Sequence, residues 1–199
     1  MVKLSNIDDI TSREILENAK KVFEQYGFQK TTMEDIARSM SKGKSSLYYY
    51  FKSKEEIFDR VVDQELENLF GDIIKAVEKE NTGSEKLKAY CRIRLRRIDK
   101  LRNLSQALKD DLIQNLAMVL EIRKKHESEQ IQIIREILHF GIQRGEFRKM
   151  NERVTGQLCF LFVTLFKGME LPVFTRQAST GQFEMADIIV DSFINGIGK

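Results

Sequence analysis

Apolar residues recur at three- and four-residue intervals along most of this chain, and strict alternation is rare, so the pattern predicts helices rather than strands. Ile15, Leu16, Ala19, Val22, Phe23 and Tyr26 form one stripe over residues 12–26, which Thr11 or Ser12 can cap and Gly27 ends. Beyond Thr31-Thr32, the residues Met33, Ile36, Ala37 and Met40 share one side of a short second helix. Thr32 as N-cap with Asp35 three residues on approximates a capping box, which ordinarily uses Glu or Gln there. A third short helix carries Leu47 within the run Ser46 to Phe51. Ser53-Lys54-Glu55-Glu56 is a full capping box and opens a long helix running past Phe70 toward Glu80.

Further helices are expected over 84–104, over 106–144 in one or two pieces, over 151–169 and over 183–197. The last loop should hold Pro172 and the turn Ser179-Thr180-Gly181-Gln182. Pro172 is the chain's single proline, so almost every other position is free to donate a helical N–H. The fold class is all-α: an N-terminal three-helix helix-turn-helix domain over 1–60, joined through the long helix to a C-terminal helical bundle over 61–199, with about nine helices.

Composition narrows the setting. A chain of 199 residues with 42% hydrophobic and 32% charged positions can bury a core and does not have the composition of a disordered one. The two cysteines, Cys91 and Cys159, form no C-x-x-C pair or disulfide framework, which fits a reducing cytoplasm. The opening MVKLSNIDDI is polar where a signal peptide is apolar, and the longest apolar run, residues 158–166, is about half a bilayer span. A cytoplasmic protein with no membrane partner is expected. With 33 basic against 30 acidic residues the net charge is only +3, which looks small for a nucleic-acid binder.

The charge is unevenly placed. Arg38, Lys42, Lys44, Lys52 and Lys54 lie in one window without an acidic residue, a local +5. Tyr48, Tyr49 and Tyr50 lie in the same window, and consecutive residues on a helix point about 100° apart, so at least one must face outward. Two short helices after a longer supporting one, with Ala37 small enough for a close crossing and Ile36, Met40 and Leu47 spaced for a shared core, predict a helix-turn-helix.

Residues 15–58 resemble the TetR (tetracycline-repressor-like) family of bacterial transcriptional regulators. The resemblance is densest in TTMEDIARSMSKGKSSLYYYFKSKEEIF, where Thr-Thr, Asp-Ile-Ala, Leu-Tyr-x-x-Phe and Ser-Lys-Glu follow in the family's order and spacing. It implies that Thr32 meets a phosphate, that Lys44, Ser45, Ser46 and Tyr49 face base edges in the major groove, and that Tyr48, Tyr50 and Lys54 hold the DNA backbone. The turn departs from the pattern. Ser41 stands where glycine is usual, at a cost of roughly 1 kcal/mol if it adopts the left-handed conformation. Lys42 replaces an apolar residue and can bury its stem while sending its amine to DNA. Gly43 stands where Ser or Thr often caps the recognition helix.

In the C-terminal region the resemblance is one of general plan, including Gly-x-x-x-Gly-Glu-Phe at 141–147. The segment 154–169 is apolar all round and must be covered on every side. The family's dimers pack their last two helices into a four-helix bundle, which assigns Leu158, Leu161, Phe162, Leu165, Ile189, Val190, Phe193 and Ile197 to a homodimer interface. A two-fold dimer reads a (pseudo)palindromic double-stranded operator. In the basic stretch 86–102, Lys88, Arg92, Arg96 and Lys100 form a charged face balanced by acids elsewhere, whereas Arg94 falls on the apolar stripe. Arg94 could therefore anchor an anionic small-molecule effector. The resemblance implies a pocket near it, with Phe70, Tyr90, Met118, Ile122, His126, Phe162 and Phe166 as candidate lining, though plain core is the simpler reading of each.

No enzyme, metal site or cofactor is expected. Glu136 and His139 have the spacing of a di-iron ligand pair, but the only other histidine, His126, follows Arg123 rather than a carboxylate. The expectation is thus a transcriptional repressor released by an effector. The alternative is a helical ligand-binding or protein-interaction module that does not act on DNA.

Overall fold

The computed structural model describes residues 2–106, 121, 124–174 and 182–198, and among them it contains eight helices. These are α1 (Val2–Tyr26), α2 (Met33–Ser39), α3 (Lys44–Tyr50), α4 (Lys54–Glu78), α5 (Gly83–Gln106), α6 (Glu127–Gln143), α7 (Glu152–Phe174) and α8 (Gln182–Ile197). The described residues thus carry one helix fewer than expected. Met118, Ile122 and the 179–181 part of the last turn lie outside the described residues. Two elements run further than the pattern predicts. α1 starts at Val2, since no proline or glycine interrupts the polar residues before its stripe. α7 ends at Phe174, so Pro172 falls in its final turn rather than in the loop. There it lacks the N–H that would donate to the Gly168 carbonyl, so the last turn carries one helical hydrogen bond fewer.

The chain forms two compact units, one built on residues up to Leu66 and the other on Glu67–Lys100 with Arg123–Lys199. The first unit encloses Ile15, Ala19, Phe23, Ile36, Leu47 and Phe58, each at most 1% exposed. Phe58 meets Phe23 and Phe28 edge-on, with ring centroids 5.2 and 4.9 Å apart. Ala37 is buried at the α2–α3 crossing, and Met40 packs half-buried on the same core. The helix starts follow the local code. Thr32 and Asp35 form a complete capping box on α2, so aspartate suffices where Glu or Gln is usual. At α4 the Ser53 hydroxyl accepts from the Glu56 N–H (3.2 Å), while the Glu56 carboxylate reaches back to the Lys52 N–H at 2.7 Å.

In the second unit, Tyr90 of α5, Phe162 and Phe166 of α7 and Phe193 of α8 share one aromatic cluster, with Phe162 and Phe193 4.9 Å apart. The corner after α6 explains the Gly-x-x-x-Gly-Glu-Phe run. Gly145 has a φ of 74°, and the Gly141 carbonyl accepts from the N–H groups of Glu146 (2.9 Å) and Phe147 (3.2 Å). A Cβ on Gly141 would lie 2.2 Å from the Phe147 ring, and one on Gly83 would lie 2.8 Å from it. The Glu146 carboxylate then accepts from the Gly83 N–H at 2.8 Å and caps α5. One ring seated on two glycines thus ties three segments together.

Candidate nucleic-acid interface

α3 is seven residues long and could not persist alone. It persists because Leu47, wholly buried, anchors it to α1, α2 and α4. With Leu47 inward, Lys44, Ser45, Ser46, Tyr48 and Tyr49 face solvent. Tyr49 is 75% and Tyr48 49% exposed. Tyr50 packs against the core and meets Tyr49 edge-on at 4.9 Å. The Lys44 ammonium lies 5.7 Å from the Tyr48 ring. An exposed phenol pair beside a lysine on a short rigid helix offers donors, an acceptor and apolar faces to base edges and phosphates.

The turn reaches α3 through a strained residue. Ser41 has a φ of 53°, the left-handed region at a non-glycine position, while Gly43 has an ordinary φ of −75° and caps α3 without a side-chain bond. Lys42 donates its backbone N–H to the Ala37 carbonyl at 3.0 Å and points its ammonium at Glu14, 3.3 Å away. Glu34, Ala37, Arg38, Ser41, Lys42, Gly43 and Lys44 line an open cleft beside the turn.

The local +5 is partly answered from outside the window. Arg38 pairs with Glu34 at 3.2 Å and Lys42 with Glu14. Lys54 donates to three backbone carbonyls. Among the described residues Lys44 and Lys52 make no ion pair. Thr32 sits exposed at the start of α2; the Asp35 carboxylate accepts from its hydroxyl at 2.6 Å and from its N–H at 2.9 Å. Those two bonds hold the Asp35 carboxyl below the usual carboxylate range, the hydroxyl bond contributing most.

The other predicted residues sort themselves within the second unit. Phe70, Tyr90, Arg94, His126, Phe162 and Phe166 are all buried. The Arg94 guanidinium donates to the Tyr90 hydroxyl (3.0 Å) and the Gln130 carbonyl oxygen (2.7 Å) and lies 5.8 Å from the Phe166 ring centre. His126 faces Phe70 at 6.0 Å and the Glu129 carboxylate at 3.3 Å. Gln130 was missed because it stands 36 residues from Arg94, beyond any local period. On the basic face of α5, Lys88 pairs with Asp191 at 3.0 Å and Arg92 with Asp187 at 3.7 Å; the hydrogen bond that Lys88 donates to Asp191 raises its pKa.

Burial divides the residues assigned to the interface. Phe162, Val190 and Ile197 are at most 2% exposed within the unit and have no surface to give a partner. Leu158, Ile189 and Phe193 are half-buried, and Leu161 and Leu165 are 48% and 47% exposed. Phe160 (54%) and Ile188 (60%), which the assignment omitted, are also exposed. A helix apolar all round has no period from which its outer side could be read. Cys91 and Cys159 are free and buried, and burial pushes the Cys159 thiol up to about 11. Glu136 and His139 do not pair: Glu136 accepts from Gln132, and His139 meets Glu152 at 3.1 Å. Among the described residues no cluster of His, Cys, Asp or Glu is placed to hold a metal, and no helix is long and apolar enough to cross a membrane.

A short exposed helix presented by a buried tripod of helices, with a tight turn before it, defines a helix-turn-helix DNA-binding protein. Residues 15–61 match the family model described as bacterial regulatory proteins, tetR family. The HTH-type transcriptional regulator YfiR of Bacillus subtilis is 28% identical over 167 residues, covering 77% of this chain and 76% of that protein. The negative regulator of the icaADBC biofilm operon, IcaR of Staphylococcus aureus, is 44% identical over 48 residues, 24% of this chain and 26% of its own. The crystal structure of a transcriptional regulator from Cytophaga hutchinsonii superposes with a TM-score of 0.77 at 26% identity, covering 94% of this chain and 98% of that one. The chain is a DNA-binding transcriptional regulator whose residues 15–61 are similar to the tetR family and which over most of its length is similar to other transcriptional regulators.

Proposed function

We propose that the chain is a homodimeric repressor that binds a (pseudo)palindromic operator and leaves it when a small molecule enters the second unit. The observation that carries the DNA-binding part is the solvent-facing set Lys44, Ser45, Ser46, Tyr48 and Tyr49 on a helix fixed from beneath by Leu47. Lys44, Ser45, Ser46 and Tyr49 read base edges, while Thr32, Lys42, Tyr48 and Tyr50 hold the backbone. Two copies associate through the open apolar face of α7 and α8, Phe160, Leu161, Leu165 and Ile188 at its centre with Leu158, Ile189 and Phe193 beside them. Exposed apolar patches of this kind need a cover, and two-fold pairing matches two recognition helices to two half-sites.

The effector is an anion held by Arg94 and Tyr90, with Phe70, His126, Phe162 and Phe166 around it and Met118 and Ile122 as further lining. By favouring one arrangement of the dimer it withdraws the two α3 helices from correct spacing. Operator selection from genomic fragments tests the DNA reading. Lys44→Ala with Tyr49→Ala should abolish the specific shift and leave the dimer intact; a wild type with no sequence-specific shift would instead be an interaction module. Titration with fatty acids, acyl-CoAs and aromatic acids tests the effector class, and an unchanged Tm with every one of them counts against it.

A further inference from the structure

The Lys54 side chain occupies a closed set of acceptors. Its ammonium nitrogen lies 3.0 Å from the Phe28 carbonyl oxygen, 3.2 Å from that of Gln29 and 3.1 Å from that of Thr31. It also sits 4.7 Å from the Phe28 ring centre, and that ring packs on Phe58 in the core. An ammonium has three N–H donors, and here three carbonyls accept all of them. The acceptors belong to the linker between α1 and α2. Within that linker Gly27 turns the chain with a φ of 84°, and the Thr31 hydroxyl donates to the Gly27 carbonyl at 2.7 Å. Its last residue, Thr32, is the N-cap of α2.

We infer that Lys54 is a positioning residue and not a phosphate contact: its ammonium clasps the α1–α2 linker to the first turn of α4 and thereby sets Thr32 and α2 for DNA. The inference rests on the DNA-binding reading above and replaces the backbone contact that the family resemblance assigns to this lysine. Because α4 continues to Glu78, any shift of its first turn draws the linker with it. The clasp therefore couples the long helix to the helix-turn-helix through three hydrogen bonds rather than through packing alone.

The salt dependence of operator binding separates the two roles. A lost phosphate contact makes the slope of log K against log salt shallower by about 0.9 per copy, or about 1.8 for a dimer. Lys54→Met keeps the apolar stem and removes the donors. Its operator affinity should fall at least about tenfold with the wild-type slope retained, because no phosphate contact is lost. Its Ile36 amide, which bonds the Thr32 carbonyl at 3.2 Å, should exchange faster with solvent. A slope shallower by about 1.8, with Ile36 exchange unchanged, overturns the inference. The wild type supplies a readout that needs no variant. The ¹⁵N signal of the Lys54 ammonium should persist at the same shift on adding operator, whereas a coupling to ³¹P would place it on the backbone and overturn the clasp. Should the wild type bind no DNA specifically, the DNA-binding reading fails and the positioning role with it, while Ile36 exchange still reports on the clasp itself.

Discussion

Two of the tight helix exits among the described residues are built in opposite ways. After α6, glycine stands where the left-handed conformation is needed, at Gly145, and Gly141 is bare where the Phe147 ring lies against it. After α2, the left-handed residue is Ser41, and the nearby glycine, Gly43, has an ordinary φ and open space where its Cβ would be. The first corner closes over the buried Phe147 ring, and its glycines match their backbone. The second is exposed, carries strain of roughly 1 kcal/mol, and lies beside the helix we propose to face DNA. Strain at a surface used for recognition is tolerated when the core beneath fixes it, and the buried Ile36, Ala37 and Leu47 do so here.

The contrast can be broken from either side. The largest effect is expected at the buried corner: Phe147→Ala should cost about 4 kcal/mol, since a fully buried ring is lost and its seat on two glycines left empty. Calorimetry of the variant reads this directly. Gly141→Ala should cost about 2 kcal/mol through overpacking against the same ring; an unchanged Tm would mean that Phe147 moves aside freely. At the exposed corner the effects shrink. Thr32→Ala removes the α2 cap and should cost about 1 kcal/mol.

The same cap predicts a pH dependence. The Asp35 pKa is lowered in the folded state, chiefly by the Thr32 hydroxyl. Its contribution is therefore present above the unfolded carboxylate value near about 4 and is lost as pH falls through the lower folded value. Asp35→Asn should remove that part of the acid dependence, as seen in melts between neutral pH and about pH 3. The smallest expected change is Gly43→Ser, which supplies the missing cap of α3 and reduces unfolded-chain freedom, stabilising by about 0.5 kcal/mol. If it destabilises, the open space at Gly43 serves the fold in a way its geometry does not disclose.

Much of this was legible in the linear pattern. The Thr32 cap, the Ser53 hydroxyl cap and the buried set Ile36, Ala37 and Leu47 are read from spacing alone, because each uses residues within one or two helical turns; at Ser53 the return bond of the expected box goes to the Lys52 N–H instead. That at least one of Tyr48, Tyr49 and Tyr50 faces outward follows from the same short-range geometry. What failed to show was whatever depends on distant segments. Lys54 reads as a surface cation near a helix start, yet its acceptors lie more than twenty residues back. Phe162 and Leu161 are adjacent and equally apolar, yet one is buried and the other exposed.

The amino-acid order by itself determined the helices, their caps and the presence of a helix-turn-helix with a locally basic face, since propensity, capping and periodicity act over a few residues. Only the tertiary structure decided which cations are already engaged, which apolar face of α7 and α8 remains open, and that Phe147 is the knot of its corner. Those outcomes depend on which groups meet across the chain, and a hydrogen-bond donor or an apolar face has no fixed role until its neighbours are in place.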